Sequence, residues 1–459
     1  VTTIKKSASI TRNINGHGDT QMKQINIGLI GLGTVGTGVV KILKKNAALI
    51  SQRTGCTIKI SKIADLDLRR GKSLRLAKGV LTKDAASLVS DPNIDIVVEL
   101  IGGLEPARTL VLQALKNGKH VVTANKALLS EHGAELYTAA AKHGVDIAFE
   151  ASVAGGIPII RSIREGFASD RIVNFYGILN GTANYILSRM TDEGAAFKDV
   201  LKDAQQKGYA EADPTFDIEG IDTLHKLCIL IGLGYGMNVP AKKIYTEGIS
   251  KITALDVEYA RELGYRIKLL AICRSSGGQL DARIHPTLVP EQHMLSQVQR
   301  TFNAIFLQTA DVGPTMFYGR GAGMLPTGSA VVADIMAVVR DLKHGGSNRV
   351  CLPLTGSKVE QLRLQPVKEI QSRYYLRFSA DDRPGVLSRI AGILGRNNIS
   401  ISSVIQKGRT HGGTVSIFMI THDALESNMQ KAMRQIKQLA IMRSDTMLIR
   451  IADDMLSAE

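Results

Sequence analysis

The sequence predicts an α/β protein that opens with a doubly wound parallel sheet and ends in a small βαββαβ module, and three observations predict it. An apolar strand runs straight into Gly31-x-Gly33-x-x-Gly36 and on into the helical pattern Val39, Val40, Ile42, Leu43. Apolar strand-length runs and helical periods then alternate as far as Ala124. Beyond about residue 372 the order becomes strand, helix, strand, strand, helix, strand. At 459 residues the chain is too long for one core, and roughly three domains of ~100–200 residues are expected.

Each element of the opening sheet has its own warrant. In Ile25 to Gly36, Gly31 permits a tight turn, Gly33 lets the backbone approach a diphosphate, and Gly36 allows close helix–strand packing. Thr34 and Val35 then start the helix whose N-terminus would face the anion. A second strand, Thr57 to Ala64, ends at Asp65, with Asp67, Arg69 and Arg70 just beyond. Asp65 would bind the ribose hydroxyl of NAD, whereas the arginines would neutralise the 2′-phosphate of NADP; the balance leans slightly to NADP. An apolar run from Ile94 to Leu100, a helix from Ala107 to Asn117 and a strand from His120 to Ala124 follow. Ligands of such sheets sit outside the carboxyl ends of the strands, which places Lys126 near a bound nicotinamide. Without that context Lys126 is an exposed loop lysine.

The run from Gly208 to Lys226 holds five carboxylates, Glu211, Asp213, Asp217, Glu219 and Asp222, in a chain of formal net charge +15. Such an acidic pocket fits a cationic ligand. Asp222 and Lys226 are four apart where the helical pattern Leu224, Leu227, Leu230 begins, so they share one helix face. A solvated surface pair is the bland alternative. Lys and Arg are otherwise spread along the chain without aromatic interleaving, so no nucleic-acid partner is expected, though a basic surface would steer an anionic dinucleotide.

No window approaches ~18 uninterrupted apolar residues and no leader pattern opens the chain, so no membrane partner is expected. Cys56, Cys228, Cys273 and Cys351 are far apart and mostly within apolar runs, which fits a reducing cytoplasm and neither zinc nor a disulfide framework. Residues 1–21 are polar and aperiodic and read as a disordered or added extension before a start at Met22.

Six motifs stand in order: Gly31 to Gly36, Val121 to Lys126, Glu150 to Pro158, Gly177 to Thr182, Gly208 to Lys226, and Tyr318 to Gly323. Together they closely resemble homoserine dehydrogenase, in its monofunctional form, from about Lys23 onward. The resemblance implies NAD(P)-dependent interconversion of L-homoserine and L-aspartate 4-semialdehyde, on the route to threonine, isoleucine and methionine. It implies Lys226 as the acid/base at the substrate oxygen, Asp222 beside it, and Lys126 as a cationic neighbour that also meets the cofactor. It implies Glu211, Asp217, Asp222 and Thr182 around the substrate, and Gly208, Glu211 and Gly323 near the cofactor. Glu150, Val153, Gly155 and Ile157 match a loop that holds a structural monovalent cation, sodium by the chemistry of one carboxylate with neutral oxygens; a tight glycine turn without an ion is the alternative.

The resemblance also implies a discontinuous nucleotide-binding domain, residues 22–151 plus 318–350, with a catalytic and dimerisation domain over 152–317 inserted in it. Strands near Arg171 to Leu179 and Lys268 to Arg274 belong to the insert. A linker over 351–371 leads to residues 372–455, which resemble an ACT domain. In the loop Asp381 to Gly385, Pro384 and Gly385 open a turn whose N–H groups at the start of the first helix can meet a ligand carboxylate, and Asn397 and Asn398 supply polar groups expected nearby. By resemblance the ligand is threonine acting as feedback inhibitor, between the subunits of a homodimer or homotetramer. Deletion from Ser372 onward is expected to keep catalysis and lose threonine sensitivity. Two other readings stay open: an amino-acid sensor on a degenerate dehydrogenase, and an enzyme such as aspartate dehydrogenase.

Overall fold

Side-chain alternation decides the first layer. In the strand Ile96–Glu99, Ile96 and Val98 enter one apolar cluster and Val97 another, as a sheet covered on both faces requires. The computed structural model describes residues 22–345, 362–406 and 413–453. The expected extension 1–21, Cys351 and most of the 351–371 linker lie outside the described residues.

Among the described residues the first sheet has six strands. From edge to edge they are Leu81–Thr82, Thr57–Ala64, Gln24–Ile30, Ile96–Glu99, His120–Thr123 and Ile147–Ala148, every pair parallel. The first strand lies in the middle, so the order reverses beside it and a crevice opens at its carboxyl end. The chain then leaves this layer and later returns. Its helix Met324–His344 lies against the glycine-turn helix Thr34–Lys45, where a Cβ on Gly38 would sit 2.2 Å from Met324 O. Val331, Val332, Ile335 and Val338 share a core with Val39, Val40 and Leu43. Departure and return touch: a Cβ on Gly155 would meet Gly321 O at 2.4 Å, and Gly156 N donates to Arg320 O at 3.0 Å.

Among the described residues the second sheet has twelve strands and spans two modules. Ile172–Ile178 and the hairpins Tyr265–Ser276/Gln279–Pro290 and Phe302–Thr309/Gly313–Arg320 form the part that follows the nucleotide layer. The C-terminal strands run Met447–Ile451, Gln371–Asp381, Thr414–Thr421, Ile401–Gln406 across the sheet, with the helices Val386–Arg396 and Glu426–Lys437 between them in sequence. The two halves join because Met447–Ile451 also pairs, in parallel, with Gln279–Pro290 through Thr287 with Arg450 and Leu288 with Ile451.

This junction revises the truncation expectation. Tyr375, Phe418, Ile420, Ile449 and Ile451 belong to the same apolar cluster as Ile284, Leu288 and Tyr259. Arg377 pairs with the fully buried Asp256 at 2.6 Å, and Tyr259 stacks on Phe418. Cutting at Ser372 would strip apolar surface from the preceding domain rather than remove an independent module.

Lys268 is a buried amine inside the second sheet. It is 3% exposed, donating from Nζ to Val298 O at 2.5 Å and Asn184 Oδ1 at 3.3 Å. Burial, helped by Arg266, lowers its amine to about 7 from 10.5. The folded state therefore disfavours the charged form, so stability is lost progressively as pH falls from 10.5 to about 7 and is level below that. Lys268→Met is expected to stabilise the protein at pH ~6 by on the order of 2 kcal/mol, after loss of the two hydrogen bonds, with the gain vanishing above pH ~10 in urea titrations. No described helix is long and apolar enough to cross a membrane.

Candidate functional site

The glycine turn is shaped from two sides. Gly31 has φ +99° and a Cβ there would meet Leu100 O at 2.8 Å; a Cβ on Gly36 would lie 2.1 Å from Gly31 O. Gly33 differs, because its Cβ would meet nothing nearer than Arg70 Nη1 at 4.0 Å. No protein contact demands glycine there, whereas a diphosphate approaching the backbone would. The helix Thr34–Lys45 has no side-chain cap, and Thr34 is exposed with Val35 half-buried behind it. Its first N–H groups can therefore meet an anion. The residues present fit a dinucleotide.

Asp65 is placed differently from the ribose-binding expectation. Its Oδ2 accepts from Leu32 N at 2.6 Å and its Oδ1 from Asp67 N at 2.7 Å, so the carboxylate braces the glycine turn. Arg69 turns to Asp67 at 2.8 Å. Arg70 is the arginine beside Gly33, with a long contact to Asp65 of 3.5 Å.

A residue absent from the sequence expectations organises the sheet's carboxyl edge. Glu99 is fully buried; its Oε1 accepts from Ile101 N and Gly102 N at 2.9 and 3.1 Å, and its Oε2 from Thr123 Oγ1 at 2.6 Å. Burial pushes its carboxyl up despite these donors. Glu99 thus ties the loop after one strand to the strand that delivers Lys126. Asn125 caps the next helix by accepting from Leu128 N, and Lys126 is that helix's first residue.

From the other side come Asp222 and Lys226, in the helix Ile221–Tyr235 that packs on Lys126–His143. Gly220, at φ +81°, turns the chain into this helix. Asp222 sits in its first turn, where the helix dipole favours a carboxylate. Lys226 Nζ donates to Asp222 Oδ2 and to Leu179 O, both at 2.6 Å. Lys126 Nζ lies 3.3 Å from Asp222 Oδ1. One buried carboxylate therefore holds two lysines, one from each domain. Burial alone would raise the Asp222 carboxyl, but Lys226 and Lys126 outweigh it and hold it at about 2.

Asn180 links this triad to Asp217. Its amide donates to Asp217 Oδ1 at 2.7 Å and to Asp222 Oδ2 at 2.9 Å, while its oxygen caps the helix Gly181–Glu193 through Ala183 N. Burial raises the Asp217 carboxyl, which leaves its neighbour Asp222 as the settled anion. In sequence Asn180-Gly181 reads only as a turn, so its part in the acid cluster was missed. The Thr182 hydroxyl donates to Tyr209 O at 2.6 Å, which fastens the loop carrying Gly208 and Glu211 rather than offering a free proton. Gly208, at φ +70°, and Glu211 are exposed on that loop.

At the crossover, Glu150 behaves as a cap. It is 4% exposed, and its two carboxylate oxygens accept from Ile160 N at 2.9 Å and Arg161 N at 2.8 Å. Val153 and Ile157 are buried, and Gly155 is required by the approach of Gly321. Gly323, at φ +117°, leads into the return helix beside the glycine-turn helix. No cluster of three or more His, Cys, Asp or Glu that would hold a metal occurs among the described residues.

The C-terminal expectations are only partly brought together. Asp381 is engaged by Arg443 and Arg383, and Gly385, at φ +89°, caps the helix Val386–Arg396. Asn397 lies just past the far end of this eleven-residue helix, ~18 Å from Gly385 at 1.5 Å per residue. Its amide donates to Ile393 O and Gln435 Oε1 at 2.8 and 2.9 Å, and Asn398, at φ +56°, merely ends the helix. Within one chain these asparagines do not join Asp381 and Gly385 in one pocket.

Three family models match this architecture: "Homoserine dehydrogenase, NAD binding domain" over residues 31–150, "Homoserine dehydrogenase" over 158–336, and "ACT domain" over 374–441. The chain is 46% identical over 431 residues to a homoserine dehydrogenase of Neisseria gonorrhoeae, covering 94% of this chain and 99% of the relative. The crystal structure of a homoserine dehydrogenase from Thiobacillus denitrificans superposes with a TM-score of 0.88 at 48% identity, over 94% of this chain and 99% of that one. A hyperthermophilic archaeal homoserine dehydrogenase in complex with NADPH matches at 27% identity and a TM-score of 0.59, over 70% of this chain and 98% of that one. The protein is accordingly an NAD(P)-binding oxidoreductase with a C-terminal ACT domain, and the chain belongs to the homoserine dehydrogenase family.

Proposed function

We propose that Lys226 exchanges the proton of the substrate oxygen as L-homoserine and L-aspartate 4-semialdehyde interconvert, with Asp222 fixing it opposite Lys126. The two lysines on one buried carboxylate carry this reading. A bound nicotinamide supplies the hydride acceptor or donor. Lys226 has two donors committed, to Leu179 O and Asp222, and keeps a third N–H for the substrate. In aldehyde reduction that third donor protonates the forming alkoxide, and Lys126 stabilises the same developing charge from the nucleotide side. Asp217, together with Glu211 on its loop, would hold the substrate ammonium.

NADP is favoured over NAD because Asp65 already serves two backbone donors while Arg70 stands beside Gly33. Arg70→Ala is expected to raise KM for NADP ~10-fold and to leave NAD nearly unchanged, in parallel initial-rate titrations. A monovalent cation, sodium by its ligand chemistry, would take lone pairs left on Glu150 and the carbonyls of Val153, Gly155 and Ile157, with a structural role. The protein would work as a homodimer or homotetramer on the route to threonine, isoleucine and methionine.

Threonine would act as feedback inhibitor through the ACT domain. The test uses the full chain: L-homoserine-dependent reduction of NADP and of NAD, with and without threonine. Turnover suppressed by threonine is the expected result; turnover indifferent to it removes the regulatory reading, and none with either cofactor removes the catalytic one.

A further inference from the structure

We infer that Arg450 and Glu247 form a positioning bridge through which the ACT domain holds the acidic turn of the catalytic site. The inference rests on the reading of Asp217 and Asp222 as substrate-site groups.

Arg450 lies on Met447–Ile451, the strand that joins the ACT strands to Gln279–Pro290, and is 1% exposed. Its guanidinium grips Glu426 of its own module at 2.6 and 2.9 Å. Two further contacts leave the module: Nη1 donates to Glu247 Oε2 at 3.1 Å, and Nη2 to Tyr245 Oη at 3.3 Å. Tyr245 Oη in turn donates to Glu247 Oε2 at 2.8 Å, and the guanidinium covers the Tyr245 ring 4.8 Å from its centroid. The ACT cation thus fixes the segment Tyr245–Glu247.

That segment touches the turn before the catalytic helix. Gly248 has no room for a side chain, since a Cβ would meet Ile218 O at 2.4 Å and Glu219 Cα at 2.5 Å. Ile249 N donates to Ile218 O at 2.8 Å, and a Cβ on Gly220 would meet Thr246 Cγ2 at 3.1 Å. Only Ile218 to Gly220 and Ile221, the first residue of the helix, separate Asp217 from Asp222. Direct contacts therefore run from the ACT strand to the turn that joins the two acids. A shift of that strand moves Glu247, and the turn must follow because the glycine contacts leave no slack.

Glu247→Gln tests this, because it keeps the side-chain volume and leaves Arg450 its buried partner Glu426. Arg373→Gln, which removes a half-exposed ion pair with Asp453 in the same module, is the control for a purely structural loss. The double variant Glu247→Gln with Arg450→Gln reports coupling. Glu247→Gln is expected to lower kcat/KM for L-homoserine about fivefold or more, with KM for the cofactor unchanged and the double variant no worse than the poorer single one. Hydrogen exchange over residues 215–222 should accelerate in Glu247→Gln and not in Arg373→Gln. Exchange equal in the two variants overturns the bridge. The exchange readout needs no substrate, so a chain that fails to oxidise L-homoserine removes the catalytic reading while the bridge is still decided.

Discussion

Lys226→Ala is expected to reduce kcat by ~10²–10⁴, the range that a positioned acid/base contributes, with cofactor affinity close to wild type. The side chain arises from the inserted domain, away from the glycine turn, so its removal does not touch the groups that would meet the diphosphate. The variant should also fold, because Asp222 keeps Lys126 and the Asn180 amide as partners. Steady-state kinetics paired with a direct cofactor titration separate the two effects. A KM change without loss of kcat would assign Lys226 to binding alone.

Asp222→Asn is expected to act on both stability and rate. The carboxylate is buried with Lys226 at 2.6 Å and Lys126 at 3.3 Å, and neutralising it leaves Lys226 as a buried charge without its counter-ion. Breaking such a pair costs ~3–5 kcal/mol. The sign with pH follows from its depressed carboxyl: the contribution is fully present above 3.8 and lost as pH falls toward about 2. The stability gap between wild type and variant should therefore be constant near neutrality and narrow in acid, by chemical denaturation at a series of pH values. Misplacement of the two lysines should cost kcat/KM ~10²-fold even where the variant is folded.

Much of this arrangement was legible because local chemistry and tertiary role coincide. The strand Thr57–Ala64 and the strand, helix, strand, strand, helix, strand order beyond about residue 372 fall where apolar periodicity places them. Asp222 and Lys226 were readable as a pair because four residues of helix bring them to one face.

Where polar residues are buried by partners distant in sequence, the pattern fails. Gln279–Pro290 carries Asp281, Arg283, His285 and Thr287 and two prolines, which argue against a central strand. It is nevertheless buried along nearly its whole length: Arg283 satisfies Asp281 at 2.5 Å and His285 at 3.0 Å on its own strand, and the distant partner that covers it is the ACT strand Met447–Ile451. Glu99 and Asn180 were hidden for the same reason: a lone strand-end glutamate and an Asn-Gly turn have no local signature for the loops and acids they tie together. Asp65 was visible as the acid ending the second strand, yet the 2.6 Å bond from Leu32 that makes it a brace depends on the folded turn.

The most direct measurement of the central claim is the initial rate of L-homoserine-dependent nicotinamide reduction, followed by absorbance, in wild type and Lys226→Ala at equal cofactor occupancy. Turnover in the wild type with a loss of ~10²-fold or more in the variant is the predicted result. Equal turnover in the two proteins would contradict the assignment of proton exchange to Lys226.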